Sequence, residues 1–149
     1  MINRELINPQ SIVVVGGSNN VHKPGGAILR NLISGGYAGE MRAVNPKETE
    51  VQGVAAYADA KEDDVQGLKS YHSVHDIPET ELAIISIPGP ACPEAVDVLA
   101  KQKNVKAFIV ISAGFGEETH EGAILEEQML KSINEAGASL IGPNCIGLL

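Results

Sequence analysis

At 149 residues, with 44% apolar but only 3% aromatic side chains, the chain is sized for one domain with a core of Val, Ile, Leu and Ala, long enough to bury about 70% of its unfolded surface. Nineteen acidic against eleven basic residues give a formal charge of −8, and no basic stripe exists to follow a phosphate backbone, which argues against nucleic acid as a partner. No apolar run approaches the roughly 18 residues of a membrane span, the N-terminus Met1-Ile2-Asn3-Arg4-Glu5 lacks signal-peptide features, and the only cysteines are Cys92 and Cys145, so a cytoplasmic protein with reduced thiols and no membrane partner is expected.

Short apolar runs recur along the chain with helical patterns between them, each run short enough to be a strand buried on both faces. The first is Ile12 to Val15, followed by a helical stripe of Ala27, Ile28, Leu29, Leu32 and Ile33 that Gly35-Gly36 closes. The second is Met41 to Val44. Then the rhythm breaks: Val51-Gln52-Gly53-Val54-Ala55-Ala56-Tyr57 is echoed fourteen residues later by Val65-Gln66-Gly67-Leu68-Lys69-Ser70-Tyr71. One echo is too short for a solenoid. It reads as a local duplication, with residues 48–64 an insertion that lengthens a surface loop; the second copy is expected to carry a short strand, and Ser73 to Ile77 a short turn of helix.

The third run is Leu82 to Ile87, and Pro93 then opens a helix with Ala95, Val96 and Leu99 on one stripe. Ala107 to Ile111 is the fourth run; Ile124, Leu125, Met129, Leu130 and Ile133 mark a helix ended by Gly137, and Ser139 to Ile141 is the last run. Strand and helix in regular alternation impose parallel strands joined by right-handed crossovers. The predicted fold is α/β: a single domain with a Rossmann-like, doubly wound, mainly parallel sheet.

In such a sheet ligands bind beyond the carboxyl ends of the strands, so the residues just after each run are the site candidates. After the first run, Gly16-Gly17-Ser18-Asn19-Asn20 leads through Val21-His22-Lys23-Pro24 to Gly25-Gly26 at a helix start. Glycines let backbone approach a ligand, and a helix N-terminus favours an anion. The loop is phosphate-cradling in kind but is neither G-x-G-x-x-G nor a Walker loop, and glycine turns of this sort also serve structure alone. After the second run comes Asn45-Pro46-Lys47, where a site for NAD wants an acid to bind the ribose hydroxyls. An amide and a lysine suit instead a phosphate carried on the ribose, as in NADP or coenzyme A.

Pro88-Gly89-Pro90 forms an extended wall fit for an adenine or a pantetheine arm. Ser112-Ala113-Gly114-Phe115-Gly116 is a further glycine loop, and Gly142-Pro143-Asn144-Cys145 follows the last run. Cys145 has no activating base in view. His72 and His75 have H-x-x-H spacing beside Asp76 but no third ligand, so a surface loop with two histidines is expected, with no metal and no catalytic residue assigned.

Taken together, Val44-Asn45-Pro46-Lys47, Ile87-Pro88-Gly89-Pro90, Ile111-Ser112-Ala113-Gly114-Phe115 and Ile141-Gly142-Pro143-Asn144-Cys145-Ile146-Gly147 stand in the order found in the coenzyme A-binding domain of NDP-forming acyl-CoA synthetases, which this chain resembles from Asn8-Pro9 to Leu149, interrupted by the extra residues between Lys47 and Val65. That superfamily includes ADP-forming acetyl-CoA synthetase and the α subunit of succinyl-CoA synthetase. The resemblance implies that Gly16, Gly17, Ser18, Asn19 and Asn20 line the nucleotide end of coenzyme A, that Lys47, beside Asn45 and Pro46, contacts its phosphate, and that Pro88 and Pro90 flank adenine or pantetheine. It implies too that Ser112, Ala113 and Gly114 meet the ligand through backbone groups, and that Asn144 and Cys145 face the thiol end or a neighbouring domain.

The family reaction interconverts acyl-CoA, ADP and phosphate with acid, coenzyme A and ATP. It uses a phosphohistidine domain and an ATP-grasp domain that handle the nucleotide and magnesium. Those parts follow the Gly-Pro-Asn-Cys segment, so the chain is expected to be the N-terminal binding domain of a longer ligase, partnered by the remaining synthetase domains or subunit, and to bind coenzyme A or acyl-CoA without catalysing by itself. Three alternatives stand beside this: the sensing domain of a synthetase-like protein lysine acetyltransferase, a free-standing coenzyme A-binding module, and the NADP-binding domain of an oxidoreductase.

Overall fold

The structure, a computed structural model, describes residues 3–45, 50–51, 54–55, 62–65, 68–112 and 120–142. The β-branched run Ser11–Val15 forms β1 and is buried along its whole length, because parallel neighbours flank it on both edges and helices cover both of its faces. Among the described residues the main sheet has seven strands. Besides β1 these are β2 (Glu40–Val44), β5 (Glu62–Val65), β6 (Leu68–Tyr71), β7 (Leu82–Ile85), β8 (Ala107–Val110) and β9 (Ser139–Ile141), in the order β5-β6-β2-β1-β7-β8-β9. Six of them run parallel, and β5 is an antiparallel edge. The predicted doubly wound, mainly parallel sheet is therefore present.

Helix α2 (Pro24–Ser34) covers one face, where Leu29 packs with Ile12, Val14, Ala43 and Ile84. Helices α3 (Cys92–Gln102) and α4 (His120–Glu135) cover the other, where Val96, Leu99, Met129 and Ile133 pack on Val13, Val15, Ile85 and Phe108. Alternate residues of β1 thus belong to opposite cores, as the two-residue period of a strand requires. A short α1 (Arg4–Ile7) precedes the sheet; Asn3 caps it by accepting the Leu6 N–H and ties it to the sheet through a 2.8 Å bond to Lys106 O. Helix α2 ends at Gly35-Gly36, as predicted, with the Tyr37 N–H bonded back to Leu32 O.

The echoed segments differ from the expected loop. Each copy pairs as an antiparallel hairpin with two residues between its strands: β3 (Glu50–Val51) with β4 (Val54–Ala55), joined by Gln52-Gly53, and β5 with β6, joined by Gln66-Gly67. The first hairpin stands apart as a two-stranded sheet, whereas the second supplies the expected strand and extends the main sheet beyond β2. The expected helical turn is a 3-10 turn at Val74–Asp76, capped by Ser73. The third apolar run reaches Ile87, but its strand stops at Ile85, because the Ile87 N–H leaves the ladder for the Ser112 hydroxyl at 2.9 Å.

Candidate functional site

β1 and β7 lie side by side, yet α2 leaves β1 towards one face of the sheet and α3 leaves β7 towards the other. The chain therefore opens a crevice beyond their carboxyl ends, where ligands of open α/β sheets bind. The glycine loop fills its near side. Gly16 has φ +95°, and a Cβ there would overlap the Ser86 carbonyl oxygen at the end of β7. A Cβ on Gly25 would likewise overlap Gly16 O, so loop and helix meet backbone to backbone.

Side chains in the loop brace it. Buried Ser18 accepts the Asn20 N–H at 3.0 Å, and Asn20 Oδ1 accepts the His22 N–H at 3.0 Å. Asn45, at the position where an NAD site wants an acid, donates Nδ2 to Gly17 O at 2.8 Å and its backbone N–H to Tyr71 O at 2.9 Å. One residue thereby links the ends of β1, β2 and β6.

The far side of the crevice is the segment from Ile87 to Pro90. Ser112, buried at the end of β8, accepts the Ile87 N–H and donates its hydroxyl to Ile85 O at 3.4 Å. The Cys92 thiol, buried at the start of α3, donates to Pro88 O at 3.6 Å and Ile87 O at 3.7 Å. Burial raises its pKa, against a smaller opposing effect of the Ser112 hydrogen bond, which favours the neutral thiol that braces the wall. Pro88 and Pro90 are exposed.

Both helices that begin at the crevice lack a side-chain cap: Lys23 before α2 and Ala91 before α3 make no capping bond, and each helix has a proline in its first turn. α1, away from the crevice, is capped by Asn3. The two helix N-termini contribute positive potential to the crevice.

On the α3 side the crevice widens into a cleft of about 510 Å³. Its floor is apolar, made by Val15, Val44, Ile87 and Ala95 at the ends of three strands and the start of α3. His72, Ser73 and His75, which follow β6, and Pro88 and Glu94, around the start of α3, also line it. An apolar slot with a polar rim suits a flat heteroaromatic ring with a phosphorylated sugar. Among the described residues no group of three or more His, Cys, Asp or Glu side chains is placed to hold a metal ion, and no helix is long and apolar enough to cross a membrane.

Residues 10–149 match the CoA binding domain family. The chain belongs to that family. It is 36% identical over 147 residues to acetate–CoA ligase [ADP-forming] II of Archaeoglobus fulgidus, covering 98% of this chain and 20% of the relative. It is also 36% identical to the α subunit of acetate–CoA ligase [ADP-forming] I of Pyrococcus furiosus, covering 97% of this chain and 29% of that one. The fold superposes with TM-score 0.76 and 32% identity on the apo form of a dinucleotide-forming acetyl-coenzyme A synthetase 1 of Ca. Korarchaeum cryptofilum, over 97% of this chain and 28% of the other. The chain thus spans roughly a fifth to three tenths of the length of these relatives.

Within this CoA binding domain the structure brings Gly16, Gly17, Ser18 and Asn45 into one hydrogen-bonded and packed group, and joins Pro88 to Ser112 through Ile87 and Cys92. Asn19 lies half-buried in the same loop, Asn20 is exposed at its turn, and Pro90 stands outside the cleft. Pro46, Lys47, Ala113, Gly114, Asn144 and Cys145 lie outside the described residues. Sequence reasoning missed His72, Ser73, His75 and Glu94 as cleft residues. The H-x-x-H spacing marked the histidines, but only the pairing of β6 with β2 carries them to the crevice.

Proposed function

We propose that this chain is the coenzyme A-binding domain of an ADP-forming acyl-CoA ligase, with acetyl-CoA the most natural thioester given its acetate-ligase relatives. The observation that carries the reading is the crevice at the β1–β7 reversal. It is lined by a glycine loop with no room for a Cβ at Gly16 or Gly25 and flanked by the N-termini of α2 and α3, whose N-cap side chains make no capping bond. These features fit an elongated polyanionic ligand, and coenzyme A, the family's ligand, is one.

In this reading Gly16, Gly17, Ser18, Asn19 and Asn20 hold the diphosphate, with Asn45 and Pro46 shaping the edge of β2 and Lys47 pairing with the ribose phosphate. Pro88 and Pro90 flank the adenine or pantetheine, while Ser112, Ala113 and Gly114 border its path through backbone groups. Asn144 and Cys145 meet the thiol end or an adjoining domain. Bound coenzyme A supplies the thiol that carries the acyl group. The parent's phosphohistidine and ATP-grasp parts, with their ATP or ADP and magnesium, belong to the remaining length of a protein built like the relatives, of which this chain matches the smaller share.

Titration calorimetry on the chain tests the reading. Coenzyme A should bind and NADP should not; binding of NADP in its place would overturn it.

A further inference from the structure

One hydroxyl sets where the chain leaves the sheet to form the far wall of the crevice. β7 and β8 pair in parallel as far as Ile85 and Val110, and the Ile111 N–H still reaches Ile85 O at 2.9 Å. In an unbroken parallel ladder the next bond would take the Ile87 N–H to Ile111 O. It goes instead to Ser112 Oγ at 2.9 Å. On the other edge of β7 the Ser86 N–H reaches Val15 O at 2.8 Å, and Gly16, with no room for a Cβ, packs against Ser86 O. The chain thus departs at Ile87, between a neighbour that holds Ser86 and a side chain that takes the next N–H.

The wall that follows is closed on itself. Pro88 and Pro90 have no N–H to satisfy, Pro88 O accepts the Ala91 N–H at 2.9 Å, and the buried Cys92 thiol donates towards Ile87 O and Pro88 O. Ser112 is itself buried, with a second bond to Ile85 O at 3.4 Å, so its hydroxyl is directed at the backbone of β7 and the wall. Pro88, by contrast, is exposed and lines the cleft. The side chain that fixes the wall and the side chain that meets a ligand are therefore different residues.

We propose that Ser112 is a positioning residue for coenzyme A: its hydroxyl fixes the exit of the chain from β7 and so holds Pro88 against the ligand, without touching the ligand itself. This rests on the coenzyme A reading above.

Amide hydrogen exchange followed by NMR, and calorimetry with coenzyme A, compare the wild type with Ser112→Ala, Pro88→Ala and the double variant. In Ser112→Ala the Ile87 amide should exchange at least about tenfold faster relative to the Ser86 and Ile111 amides, which keep their acceptors in Val15 and Ile85. Coenzyme A should bind about tenfold more weakly to each single variant, and no more than about threefold more weakly again to the double variant, because both substitutions disable the same wall. Losses that multiply to about a hundredfold would make the hydroxyl an independent ligand contact and overturn the assignment. Three amides that accelerate by one common factor would reduce Ser112 to a residue of general stability and overturn it too, as would undiminished binding by either single variant; in each case the coenzyme A reading stands. Wild-type chain that does not bind coenzyme A overturns that reading and this inference with it.

Discussion

Asn45 places a side-chain N–H against Gly17 O at 2.8 Å, inside a crevice meant for anions. Asn45→Asp keeps the shape but turns the donor into a charged acceptor facing a carbonyl oxygen. About 1–3 kcal/mol of stability should be lost, measured by urea unfolding, and coenzyme A should weaken at least about tenfold from repulsion of its phosphates. The acid should not convert the site to NAD, because it would be turned towards Gly17; tight NAD binding by the variant would contradict the geometry. Gly16→Ala meets two penalties at once, a left-handed backbone and overlap with Ser86 O. Its cost should be about 3 kcal/mol, and an unfolding midpoint unchanged from wild type would refute the close approach of β1 to β7.

At the scale of elements, α3 and α4 are joined by a polar staple beside their apolar seam. Asp97 accepts from Lys101 Nζ at 2.9 Å and from Ser132 Oγ at 2.9 Å, and Lys101 reaches Glu135 at 3.3 Å. The Lys101 bond first, then that of Ser132, holds the Asp97 carboxyl below its ordinary value. A carboxyl depressed in the folded state stabilises the fold above its unfolded pKa, near 4, and that contribution is lost as pH falls through the folded value. The charged groups are largely exposed, so the effect is small and screened by salt. Asp97→Asn should therefore lower the melting temperature slightly at pH 6 and leave it equal to wild type near pH 2; a difference that persists at pH 2 would assign the loss to packing. The two hairpins belong to the same scale. Each pair of strands is antiparallel, yet only the second joins the main sheet, where β6 pairs with β2.

For the whole molecule, binding and stability are linked. A ligand that binds only the folded state at about a hundred times its Kd adds about 2.7 kcal/mol, which for a domain of this size raises Tm by about 5–10 °C. Coenzyme A should give that shift and NADP none, read by differential scanning fluorimetry; equal shifts for both would remove the preference for coenzyme A.

The order of strands and helices, the parallel sheet and the loops that follow each strand were legible in the chain, because burial on both faces writes itself locally as short β-branched runs and helix ends as Pro and Gly. The bonds that make those loops one site were not. Asn45 to Gly17 and Ile87 to Ser112 join residues 28 and 25 positions apart, and the histidines reach the cleft only because β6 pairs beside β2. Sequence by itself determined which segments are buried strands and which turns follow them. Tertiary structure decided which turns share a crevice, since side-chain periodicity records burial along one element and carries no record of the neighbour across the sheet.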